Sequence, residues 1–158
     1  MFLSREAEYA IQALLRLTLH KDEHYVSIKT LAKELNISEY YLSKILQKLV
    51  KKNILKSHKG PKGGIAFFDS PEKISMLDIV VAIDGKEIFE GCVLGLYRCE
   101  SDDPCSLHER WLKLRDQIQQ MFSDESLAQL GENPELIRRS QKFINIKQKA
   151  SKSKNKIS

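Results

Sequence analysis

Residues 27–68 constrain this chain more than any other stretch. Ser27 is placed to cap a helix carrying Ile28, Leu31, Ala32 and Leu35 on one face. Asn36, a residue that tolerates the left-handed conformation, closes it. Ser38 then caps a second helix running to about Lys52, with Leu42, Ile45, Leu46, Leu49 and Val50 as its apolar face. After Asn53 the period changes. Ile54-Leu55-Lys56-Ser57-His58-Lys59 and Ile65-Ala66-Phe67-Phe68 flank the run Gly60-Pro61-Lys62-Gly63-Gly64, which predicts a β-hairpin. Two short helices joined by a tight turn and followed by a two-stranded ribbon describe a winged helix-turn-helix, in which the second helix of the pair enters the DNA major groove. The expected fold is mainly α with a small β-hairpin wing.

Charge distribution supports the same reading. Residues 29–62 hold nine lysines against Glu34 and Glu39, a local charge of +7, whereas residues 63–146 hold nine basic and fifteen acidic side chains, or −6. A basic segment on a nearly neutral remainder suits a polyanionic partner; a solvated lysine-rich surface is the plainer alternative. On the face of helix 38–52 opposite its apolar stripe lie Tyr40, Ser43, Lys44 and Gln47, placed to reach base edges, with Ser38 at the cap. Lys48 and Lys51 are placed to neutralise phosphates, and Tyr41 to contact the backbone or pack between helices. The hairpin tip, with His58, Lys59, Gly60, Lys62 and Gly63, combines charge with bare backbone that can approach a phosphate or the minor groove; a simple hairpin turn is the alternative.

The rest of the chain divides readily. Residues 4–19 predict a first helix through Ala7, Ala10, Ile11, Leu14 and Leu15, and residues 75–84 a short apolar one. The winged-helix domain is thus expected over 1–85. Residues 86–105 read as a loop bearing Cys92, Cys99 and Cys105. A long helix follows over 106–124, with a narrow seam of Leu107, Trp111, Leu114, Ile118, Met121 and Phe122. A seam that narrow suits packing against an identical helix in a two-fold dimer, through Trp111, Leu114, Ile118 and Met121, with packing inside one chain as the alternative. Residues 125–158 form a C-terminal segment ending in a basic tail, expected to be disordered.

No apolar stretch is long enough to span a bilayer and the N-terminus lacks a signal-peptide core, so a cytoplasmic location is expected. No paired acid–base constellation or nucleotide loop suggests an enzyme. Three cysteines within fourteen residues, in a reducing compartment, argue against a disulfide framework. Cys105, after Pro104 at an expected helix N-terminus, is placed to favour a thiolate, and His108 follows on the same helix. Three thiols and an imidazole can hold an iron–sulfur cluster or a structural zinc, or stay unliganded.

Several of these residues together resemble the Rrf-type family of bacterial winged-helix regulators, relatives of the iron–sulfur cluster biogenesis regulator and the nitric-oxide-sensing repressor. They are Leu3-Ser4 with Tyr9-Ala10, Ile37-Ser38 with Tyr41-Leu42, Lys59-Gly60-Pro61-Lys62-Gly63-Gly64, and the run Cys92, Cys99, Cys105 to His108. The resemblance covers about 1–124. It implies a homodimeric transcription regulator whose affinity for operator DNA is controlled by a cluster, [2Fe-2S] or [4Fe-4S], on Cys92, Cys99 and Cys105. It also implies a fourth ligand, either His108 or Glu8 supplied across the dimer, with Glu8 preferred. Ser43 stands where some relatives carry an acidic base-reading residue, so their operator preference does not carry over.

Overall fold

A computed structural model describes residues 3–96 and 104–140. Its order is α1 (Arg5–Leu17), α2 (Ile28–Leu35), α3 (Glu39–Lys51), β1 (Leu55–His58), β2 (Gly64–Phe67), α4 (Met76–Asp84), α5 (Glu87–Glu90), α6 (His108–Asp124) and α7 (Leu127–Gly131), with a 3-10 turn at Pro71–Lys73. Residues 134–140 are also helical.

Each of the first three helices starts at a serine in extended backbone whose hydroxyl accepts an amide of the first turn: Ser4 from Ala7, Ser27 from Thr30 and Ser38 from Tyr41. Satisfying an orphan amide this way fixes where a helix begins. Asn36 ends α2 in the left-handed conformation, at φ 53° and ψ 47°, which turns the chain sharply into α3. The apolar faces then meet in one core. Leu14, Leu31, Leu42, Ile45, Leu46 and Leu49 are all buried.

The hairpin pairs Leu55 with Phe67 and His58 with Gly64 in antiparallel register. It is tied to the helices through Val26, which exchanges two backbone hydrogen bonds with Ile65, both 2.9 Å. Gly64 permits that approach: a Cβ there would lie 2.2 Å from the Val26 carbonyl oxygen.

The chain differs from expectation at three places. First, the segment expected to be all loop begins with one helical turn, α5, anchored by buried Phe89 against Phe122 of α6. An isolated apolar residue in a four-residue turn leaves no periodicity to read. Second, α6 begins at His108, so Cys105 stands off its first turn, contributing only its carbonyl to the His108 amide at 3.0 Å. Third, residues after α6 return to the winged domain. Leu127 is fully buried, its amide donates to Ile74 at 2.8 Å, and Leu130, Leu136 and Ile137 pack on the same core. The tail from 141 onward lies outside the described residues.

Arg16 is the charged group this return encloses. It is 5% exposed and donates through Nη2 to Ser140 Oγ at 3.0 Å. Burial holds its pKa below the usual guanidinium value, with Glu34 pulling the other way.

Candidate nucleic-acid interface and cysteine segment

Helix α3 buries one face and leaves the other to solvent, as groove entry requires. Tyr40 is 72% exposed at its N-terminal end. The Lys44 ammonium lies over the Tyr40 ring, 4.4 Å from its centroid. Such a cation–π contact orders a lysine while leaving its charge facing solvent. Gln47 and Lys51 are exposed further along, and Ser43 is half-buried. Tyr41 turns inward, packing edge-on to Tyr9 of α1 with centroids 5.9 Å apart. Lys48 is exposed but engaged, its ammonium paired with Glu6 of α1.

The wing stands beside this face. Ser43, Gln47 and Lys51 share a cleft of about 260 Å³ with Ser57 and Ile65 of the hairpin. His58, Lys59, Gly60 and Lys62 are exposed at the tip. Gly60 has φ +117°, which L side chains rarely adopt. At Gly63 a Cβ would lie 2.3 Å from the His58 carbonyl. These two glycines therefore serve the turn itself, whatever else the bare backbone approaches. Tyr25 stacks on His58 with centroids 5.3 Å apart, bracing the wing from the loop before α2. Sequence reasoning passed over Tyr25, because a lone aromatic in a polar loop carries no periodic signal.

The exposed face of α3 and the wing are thus neighbours through the cleft that Gln47 and Lys51 share with Ser57. Residues 3–133 match Rrf2, described as iron-dependent transcriptional regulators. This chain belongs to the Rrf2 family. Among Rrf2-like proteins, an HTH-type transcriptional regulator of Aquifex aeolicus is 33% identical over 132 residues, 82% of this chain and 91% of its own length. The HTH-type transcriptional regulator IscR of Photorhabdus laumondii is 29% identical over 137 residues, 87% of this chain and 83% of its own. In fold, the chain resembles CymR, the global cysteine regulator of B. subtilis, with TM-score 0.68 and 23% identity over 82% of this chain and 95% of that one. The Rrf2 chain is therefore a transcription regulator of winged-helix type that binds DNA, and not an enzyme. No helix of the described residues is long and apolar enough to cross a membrane.

The cysteine segment is partly described. Cys92 follows α5 and is half-buried, and Cys105 is exposed; both are free thiols. Cys99 lies outside the described residues. His108 is buried, at 8% exposure. Glu8 sits half-buried on α1. Among the described residues, no three His, Cys, Asp or Glu side chains converge on a metal-sized site.

On α6, the seam expected to face a partner splits. Leu114 and Met121 are 50% and 54% exposed, in line with Leu107 at 40%. Trp111 and Ile118 are half-buried, and the Trp111 indole N–H donates to Gly91 O of its own chain at 2.8 Å. Trp111, expected in the dimer seam, thus has its one polar group engaged within the protomer.

Proposed function

We propose that this regulator acts as a cytoplasmic homodimer that grips operator DNA with two copies of α3 and the wing, and that its cysteines set the affinity by holding an iron–sulfur cluster. The observation that carries the DNA-binding half is the alignment of Tyr40, Lys44, Gln47 and Lys51 at helical spacing on the exposed face of α3, with Gln47 and Lys51 lining the wing cleft. Ser38, Tyr40, Ser43, Lys44 and Gln47 face the bases in this reading. Lys51 and the wing residues His58, Lys59, Gly60, Lys62 and Gly63 follow the backbone, joined by Lys48 once it leaves Glu6. Leu107, Leu114 and Met121 recur every seven residues and stay exposed, which favours a second α6 as their cover. A two-fold pair would set its recognition helices about one DNA turn, roughly 34 Å, apart.

The donor set fits a cluster in its chemistry. Cys92, Cys99 and Cys105 supply soft thiolates, and Glu8 from the partner or His108 the remaining position. Burial of His108 places that imidazole away from bulk water, whereas Glu8 retains partial access. When bound, a cluster supplies an oxidisable centre whose loss frees the thiolates. What this chain's own residues do is join that centre to α6, because the cysteine segment runs straight into the helix at His108.

A second reading, favoured by the exposed thiol of Cys105, is a thiol-based or zinc-holding regulator with the same DNA-binding module. Anaerobic purification followed by visible absorption with iron and sulfide analysis separates them. A coloured protein with iron and sulfide, bleached by Cys92→Ala or Cys105→Ala, is expected. Colourless protein, with zinc or with reduced thiols alone, would overturn the cluster in favour of the second reading.

A further inference from the structure

Three consecutive residues just before Cys92 are gripped by one face of α6. Phe89 packs edge-on to Phe122, with centroids 6.1 Å apart. The Glu90 carbonyl accepts from Arg115 Nη1 at 3.1 Å, and the Gly91 carbonyl accepts from Trp111 Nε1 at 2.8 Å. Residues 111, 115 and 122 lie at helical spacing on one side of α6. Leu107, Leu114 and Met121 lie exposed on another. Arg115 is held there at a cost, since its Nε is buried with no acceptor among the described residues.

We infer that Trp111 and Arg115 are positioning residues for Cys92, clamping its stem to α6 so that whatever binds or modifies that thiol is felt by the helix. This deepens the proposed function, since it rests on Cys92 being a working thiol, but it does not require the thiol to hold iron. Among the described residues, the Gly91 amide also closes α5 on Glu87 O at 2.8 Å, and α5 packs against α4 as well as α6. Cys105 also adjoins α6, but through a backbone bond to His108 that neither Trp111 nor Arg115 touches.

That difference provides the test, on the metal-free full chain. Two backgrounds, Cys99→Ser with Cys105→Ser and Cys92→Ser with Cys99→Ser, leave one thiol each for reaction with N-ethylmaleimide. Trp111→Phe keeps an aromatic ring, a smaller one, and loses the donor; Arg115→Met keeps much of the length and loses both charge and donors. Each should raise the Cys92 rate about fivefold, the factor expected for losing one ordinary hydrogen bond that opposes local opening. The Cys105 rate should stay within about twofold, as local opening at one site requires. Trp111 is also the sole tryptophan, so alkylating Cys92 should shift its emission while alkylating Cys105 leaves it in place. An unchanged Cys92 rate in both variants, equal acceleration at both thiols, or an emission that ignores Cys92 would overturn the proposal. Absence of iron in the purified protein would instead remove the cluster and leave this clamp standing.

Discussion

The Lys48 ammonium of the recognition helix rests on the Glu6 carboxylate in the first turn of α1. Both side chains are partly exposed, so the pair adds little to stability and is easily exchanged for a phosphate. It does place a negative charge at the edge of the DNA-binding face. Glu6→Gln should therefore tighten binding to duplex DNA by a factor of about two to five at low salt, as expected for an exposed pair. Fluorescence anisotropy with a labelled duplex checks it; weaker binding in Glu6→Gln would show that Glu6 instead holds Lys48 in its working position.

Leu127 sits in what the sequence suggested was a separate C-terminal segment, yet it is fully enclosed by the winged domain. Leu127→Ala should cost about 2–5 kcal/mol, the range for emptying a buried leucine site. Denaturant unfolding measures this directly. A loss below about 0.5 kcal/mol, the level of an ordinary surface change, would mean that the returning segment is an accessory.

His20 links the end of α1 to its surroundings through two carboxylates, Glu23 at Nδ1 (2.8 Å) and Glu34 at Nε2 (3.0 Å). Burial opposes the charged ring, but hydrogen bonding to Glu23 and the hydrogen bond and charge of Glu34 outweigh it, so its pKa is raised. A raised value in the folded state means that stabilisation is fully present below the unfolded value of about 6.5 and is lost as pH climbs through the higher folded one. The melting-temperature gap between the parent and His20→Gln should accordingly be widest near pH 5.5 and narrow by pH 8. A gap that widens with pH would reverse this sign and the pairing behind it.

Much of the fold was legible because its signals are local. Ser27 and Ser38 mark helix starts, Asn36 marks a stop, and the glycine-rich run from Gly60 marks the wing. Long-range relationships were not legible. Nothing in the spacing of Leu127 says that it returns to Ile74, and nothing in Trp111 distinguishes a partner's groove from the carbonyl of Gly91. Periodicity shows that a face is apolar without naming what covers it. The candidate site divides the same way. The exposed face of α3 follows from helical geometry, whereas the Lys48–Glu6 pair joins elements 42 residues apart in the chain.

The central claim is that the exposed face of α3 is a DNA-binding surface, and it can be tested without knowing the operator. The full chain is titrated with a random-sequence duplex over a series of salt concentrations, alongside Lys48→Ala and Lys51→Ala. The logarithm of affinity should fall linearly with the logarithm of salt concentration, and each variant should flatten the slope by up to about 0.9, the contribution of one phosphate contact. Unchanged affinity and unchanged slope in both variants would contradict the account.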